Sequence, residues 1–276
     1  MRELPVIGNA LAATGRGGTL FSLRMAANRT LLIVVAVLLG TLLSFALAPL
    51  YAFLADRLPS LAAGFSPEML AMFGGGDLSS AAGFLHLETM GMVAPAGIII
   101  IAVAYATAGI AGEEKLRRLP LLLAPPVSRH RIYGTSAATM ALGVVIAAAA
   151  LFAGMAAGIA VADLDVEFSH LAQSMGMLVL LGWFFGALAL ALSGATGRSG
   201  ATVWISTGVA VVTYFGATLT AAAGRAEWAW WSPWRAYLHG PPLMEGAEWW
   251  QPVWLTVGAV VALAAGLPLF LRRDLG

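Results

Sequence analysis

The sequence predicts an all-α polytopic membrane protein with six transmembrane helices, and three observations predict it. Of its 276 residues, 60% are hydrophobic and only 11% are charged, against about 25% charged in an ordinary soluble domain. Mean hydropathy is +0.86. Six runs reach the ~20 apolar residues that a helix needs to cross the hydrocarbon core: 31–54, 91–111, 133–161, 171–195, 201–223 and 253–271. Their interiors hold no Asp, Glu, Lys or Arg. None alternates as a barrel strand would, so helices alone satisfy the backbone in lipid. One transmembrane domain spans 1–276.

The elements follow in order. The N-terminal stretch, beginning Met1-Arg2-Glu3-Leu4-Pro5, is polar and contains glycine, and no apolar run starts before about Leu31. It does not read as a signal peptide. Leu20, Phe21, Leu23, Met25 and Ala26 then alternate with Arg24, Asn28 and Arg29. That pattern fits a short helix lying in the interface; a basic stop that anchors span one fits equally.

Basic residues set the orientation. Arg2, Arg16, Arg24, Arg29, Lys115, Arg117, Arg118, Arg129, Arg131, Arg198, Arg272 and Arg273 fall on one side of the six spans. Arg57, Arg225 and Arg235 fall on the other, with most of the acids. Both termini are therefore expected in the cytoplasm.

Two longer segments lie on the outer side. In 55–90, Ser66-Pro67-Glu68 reads as an N-cap, a proline in the first turn and an acid beside it. Met69, Leu70, Met72 and Phe73 give that helix one apolar face before Gly74-Gly75-Gly76 stops it. In 224–252, tryptophan concentrates: seven of the nine fall between Trp228 and Trp254. They fit an interfacial belt, or a pair of short re-entrant helices dipping into the outer leaflet before span six. Within the spans, Pro95 is placed to kink span two. Gly154-x-x-x-Gly158 and Gly182-x-x-x-Gly186 suit close helix packing within one chain.

Several chemistries are excluded. A P-loop needs Gly-x-x-x-x-Gly-Lys-Ser/Thr, and the only lysine, Lys115, stands between Glu114 and Leu116. There is no cysteine, no His-Glu-x-x-His zinc motif and no Gly-x-Ser-x-Gly elbow. His86 and Glu88, two apart, do not share a helix face. Ion-coupled carriers usually place ionisable groups inside the membrane, and these spans have none, although Na⁺ sites can be built from carbonyls alone. Energy for transport is therefore expected from a partner. The alternative reading is a non-ABC integral membrane protein: an ion-coupled carrier, a membrane-embedded enzyme or an assembly factor.

The densest charge cluster lies between spans two and three. Glu113 and Glu114 end span two, where acids oppose the helix dipole by about 0.3–1 kcal/mol; they fit better at the start of a new interfacial helix. Leu116, Leu119, Leu121, Leu122 and Leu123 form an apolar ridge beside Arg117 and Arg118. Five leucines in eight residues need cover from lipid or from a protein groove. Pro125-Pro126 breaks the segment, and Val127-Ser128-Arg129 leads into span three. A solvated basic loop that only enforces orientation is the plainer alternative.

This stretch resembles the cytoplasmic loop of type-two ABC exporter permeases. Those carry an acid pair after span two, then Gly-Thr-Leu-Glu-Leu-Leu, a small residue and Pro-Val-Ser-Arg. Here Ala111-Gly112-Glu113-Glu114 is followed by Leu119, Leu121-Leu122-Leu123-Ala124 and Pro126-Val127-Ser128-Arg129. Arg117-Arg118 replace the usual Gly-Thr, and Pro120 the usual Glu. Trp231-Ser232-Pro233-Trp234 is similar to the family's Ser-Pro-aromatic segment, and Phe270-Leu271-Arg272-Arg273-Asp274-Leu275 to its closing motif.

The resemblance implies a half-transporter in the bacterial plasma membrane, paired with a second permease and moving a hydrophobic, drug-like or lipid-linked solute. It implies no catalytic residue, metal or cofactor in this chain, with ATP and Mg bound on a separate nucleotide-binding subunit, and no nucleic-acid partner. Residues Glu113, Glu114, Leu116, Arg117, Arg118, Leu119, Leu121, Leu122, Leu123, Val127 and Arg129 would dock that ATPase through a coupling helix, braced by the N-terminal interfacial helix. Trp183, Phe184, Tyr214 and Phe215 are the candidates for lining the substrate path.

Overall fold

The computed structural model describes residues 17–72, 75–115 and 128–273, and all the regular structure among them is helical. Five helices are long and apolar enough to cross a membrane. They are α6 (Ala81–Gly112), α7 (Arg129–Val161), α8 (Phe168–Thr196), α9 (Ser199–Ala222) and α12 (Trp250–Arg272). They coincide with the last five apolar runs. Before them stand α1 (Gly17–Ala27), α2 (Arg29–Val37), α3 (Leu47–Leu54), α4 (Leu58–Ala62) and α5 (Pro67–Met72). Two short helices, α10 (Pro233–Leu238) and α11 (Pro242–Glu245), precede α12.

Helix α8 is the centre of the bundle and packs against α12, α6, α7 and α9. Successive helices alternate direction, which gathers Arg24, Arg129, Arg198 and Arg273 at one end. The tryptophans gather at the other. The ends are called here the basic end and the tryptophan end.

The first apolar run departs from the uniform helix expected over 31–54. α2 passes into eight residues of π-helix, Leu38–Phe45, before α3 resumes. With α1 bent 55° against Arg29–Thr41, that pair raises the number of candidate spans from five to six. The cause lies in packing. A Cβ on Gly154 of α7 would overlap the Gly40 carbonyl oxygen, and one on Gly158 would stand 2.7 Å from the Phe45 oxygen. Glycines at these two positions let the wide π turns lie backbone to backbone on α7. Gly182 and Gly186 of α8 serve the same end, one against Ile98 and Val144, the other against Met140. Both glycine pairs are thus contacts within the chain.

Helix α6 starts ten residues earlier than its apolar run and carries two further π stretches, His86–Met90 and Ala108–Gly112. Its irregular point is Met92, at φ −146°. Pro95 sits just beyond, in the first turn of the restarted helix, where its missing N–H costs no hydrogen bond.

At the tryptophan end, Ser66 caps α5, its Oγ accepting from the Met69 amide at 3.2 Å. Both readings of the tryptophan segment hold at once. Trp228, Trp230, Trp231 and Trp249 are exposed, while Trp234 on the short α10 is buried.

Replacing Gly154 with valine is expected to destabilise the fold by about 1–3 kcal/mol through overpacking. Gly208→Ala, where nothing lies within 4 Å, is expected to be neutral or mildly stabilising. Thermal unfolding of both variants in one detergent checks the contrast.

Candidate functional site

At the basic end, five elements meet through hydrogen bonds. A π turn turns backbone groups out of the regular helical ladder, and two groups of Ala108–Gly112 are met from other helices. The Gly109 carbonyl accepts from Arg24 Nη2 at 2.7 Å. The Ala111 amide donates to Ser193 Oγ of α8 at 3.0 Å. Gly109 has to be glycine here, because a Cβ would stand 2.6 Å from Ser136 Oγ.

Arg24 is only 7% exposed, deep burial for a side chain that keeps its charge. Its Nη1 lies 2.8 Å from the Ile132 carbonyl and 2.7 Å from both Thr135 Oγ1 and Ser136 Oγ. Glu113 supports the charge electrostatically. One guanidinium therefore binds α1 to α6 and α7 together. Helix α1 is present, as one of the two sequence readings has it, and this residue holds it.

A second cluster joins α6, α7, α8 and α12. Arg273 pairs with Glu114, and its Nη1 donates to the Gly194 carbonyl at 3.1 Å. Arg129 donates to the carbonyls of Leu271 and Arg273 at 3.0 and 2.8 Å. A cation at the last carbonyls of α12 complements its dipole. The α8–α9 turn passes through Gly197 at φ +63°. A Cβ there would collide with both Arg273 and Glu114.

Of the residues expected to dock an ATPase, Glu113, Glu114 and Arg129 come together here. Leu116, Arg117, Arg118, Leu119, Leu121, Leu122, Leu123 and Val127 lie outside the described residues. One expectation needs correction. Glu113 and Glu114 do not begin a new helix: the helical run continues from Ala108 through Lys115. The unfavourable dipole is offset by Arg273 and Arg24.

The four aromatic candidates separate into three places. Tyr214 and Phe215 line an apolar cleft of about 460 Å³ between α6 and α9, with Met92, Ile100, Val211 and Trp234. Trp183 lines another of about 620 Å³ beside α7, with Ala149, Phe152 and Gly176. Its Nε1 donates to the Ala141 carbonyl at 3.2 Å. Phe184 packs on Phe185 and Trp254.

The Ser-Pro-aromatic segment sets one wall of the α6/α9 cleft. Trp234 Nε1 donates to the Ala210 carbonyl at 2.9 Å, and Ser232 Oγ to the Thr213 carbonyl at 3.0 Å. Tyr237 donates to the Met90 carbonyl at 3.0 Å, at the end of the π stretch His86–Met90. No group of three or more His, Cys, Asp or Glu arranged for a metal occurs among the described residues.

Sequence reasoning missed Arg24 as an anchor, along with Ser193, Gly109, Gly197 and Tyr237. Only Gly197 left a signal: a glycine just past an apolar run is a helix stop.

A family described as multidrug efflux system permease Rv1217c, C-terminal domain, matches residues 18–271. No curated protein matches the chain.

Glu114→Gln and Arg273→Gln are each expected to lower the unfolding midpoint. The double variant should lose less than their sum, with a coupling of about 1 kcal/mol, measured by a double-mutant cycle. Arg24→Lys is expected to be nearly as damaging as Arg24→Met, because one ammonium cannot reach acceptors spread along two helices. Full stability in the lysine variant would contradict that account.

Proposed function

This chain belongs to the family of the multidrug efflux system permease Rv1217c C-terminal domain, and from that premise we propose that it is the membrane subunit of an ATP-driven exporter. It crosses the bacterial plasma membrane six times, with the basic end and both termini in the cytoplasm. A second permease completes the transporter, and a separate nucleotide-binding subunit holds ATP and Mg. The cargo is a hydrophobic, drug-like or lipid-linked solute.

The observation that carries the reading is the polar cluster at the basic end. Residues 116–127 leave α6 next to Glu114 and return to α7 next to Arg129. Force applied to that loop acts directly on a hydrogen-bonded set that includes α1, α6, α7, α8 and α12. Sequence chemistry agrees: a chain without a P-loop and without charge in its spans needs an outside source of energy.

The α6/α9 cleft is the preferred solute route. Its lining is apolar, it is large enough for a small hydrophobic molecule, and Tyr214 and Phe215 lie in it. The outer face of α9 exposes Trp204, Val211, Val212 and Phe215, apolar surface for lipid or for the second permease to cover. Trp183 and Phe184 belong to packing rather than to this route.

The test is co-purification under mild detergent followed by transport in proteoliposomes. Tagged protein is expected to retain a P-loop ATPase. Replacing Leu121, Leu122 and Leu123 with serine should leave insertion and basal ATP hydrolysis intact while abolishing solute-stimulated hydrolysis and transport. Wild-type transport by that variant would overturn the docking role. Phe215→Ala should change solute preference more than ATPase docking.

A further inference from the structure

Between α5, α9 and the two short helices of the tryptophan end lies a cavity of about 240 Å³, the space of about eight waters at ~30 Å³ each. Ala217, Ala221, Leu238 and Met244 wall it, and Gly75 and Gly76 lie at its edge. Two side chains of opposite charge line it: Arg235 of α10 and Glu245 of α11.

Arg235 Nε is buried and has no hydrogen-bond partner among the described residues. Its guanidinium lies 5.7 Å from the centre of the Trp250 ring. A ring face attracts a cation but supplies no lone pair for an N–H in the guanidinium plane. A buried donor without an acceptor is costly, so an oxygen from outside the fold is wanted there.

Glu245 is exposed, and the ion pairs among the described residues do not include it. Its Oε2 lies 3.1 Å from where a Cβ of Gly240 would stand. The neighbouring groups are engaged elsewhere. His239 Nε2 stands 3.8 Å from Glu248, and Trp250 Nε1 donates to the same carboxylate at 2.8 Å. One cavity thus offers an unused cationic donor and an unused anionic acceptor.

We propose that this cavity binds the phosphoethanolamine headgroup of a membrane phospholipid, the phosphate accepting from Arg235 and the ammonium donating to Glu245. Three features select that chemistry. The paired opposite charges disfavour a purely anionic headgroup, which Glu245 would repel. A primary ammonium can donate to a carboxylate, whereas a trimethylammonium has no N–H to give. The exposed Trp228, Trp230 and Trp231 belong to the same end of the bundle, and tryptophan favours the headgroup level. The site is separate from the α6/α9 cleft, so its failure would leave the exporter reading standing.

The test uses the full chain, delipidated and returned to nanodiscs of phosphatidylcholine alone, or with added phosphatidylethanolamine or phosphatidylglycerol. Phosphatidylethanolamine is expected to raise the unfolding midpoint by about 3 °C or more over phosphatidylcholine and to remain bound in native mass spectra. Glu245→Gln, at an exposed position, should keep the phosphatidylcholine midpoint and lose the increment; Arg235→Gln should lose it too. Equal midpoints in the first two lipids, or an increment that survives both substitutions, would overturn the proposal. A matching increment from phosphatidylglycerol would overturn the zwitterionic assignment. One produced by soluble phosphoethanolamine would overturn the lipid source.

Discussion

A polar group withdrawn from water inside a helical bundle has to be met by another helix, because hydrocarbon offers it nothing. Helix α6 shows how far this rule organises the chain. Its two π stretches present carbonyls that segments distant in sequence capture: Met90 by Tyr237 at one end, Gly109 by Arg24 at the other. The helix is held at both ends by donors that are not its neighbours in sequence. The short helix α10 and the N-terminal α1 have defined positions because each brings one of those donors. Helix α8 then fills the centre, contributing Ser193 to the Ala111 amide.

The charges at the basic end do two kinds of work. In the sequence they read as the residues that fix orientation, and nothing in their spacing distinguishes one arginine from another. In the structure Arg24, Arg129 and Arg273 each ligate carbonyls of other helices. Glu114 is the one carboxylate paired with an arginine among the described residues. Two of the short motifs that suggested a family, the acid pair after span two and the closing Arg-Arg, are thus halves of a single contact. Their separation in sequence concealed it.

Legibility divides along physical lines. The five long spans were readable because apolar length alone decides membrane crossing, and their ends shift by only a few residues. The Ser66 cap and the burial of the Ser-Pro-aromatic segment follow from local chemistry and were at least foreshadowed. The π stretches were not, since composition does not encode a change from i→i+4 to i→i+5 bonding. The break in the first span depends on Gly154 and Gly158, more than a hundred residues away. Arg24 sat in a pattern that fitted an interfacial helix, but its four acceptors belong to α6 and α7. For the aromatic candidates, residue type was a poor guide. Tyr214 and Phe215 share a cleft because they are consecutive on α9, while Trp183 and Phe184, equally aromatic, face two different neighbours.

The left-handed turn at Gly197 constrains motion as well as sequence. Only Gly197 and Arg198 separate α8 from α9, a tether of at most ~7 Å when fully extended. Helix α9 cannot slide along its axis without dragging α8, the best-packed helix in the bundle. Its remaining freedom is angular, about a pivot beside the Glu114–Arg273 pair. A swing of that kind leaves the pivot nearly still and moves the far end most. The α6/α9 cleft is therefore hinged like a fan, its width set at the tryptophan end by small rotations whose fulcrum lies at the basic one.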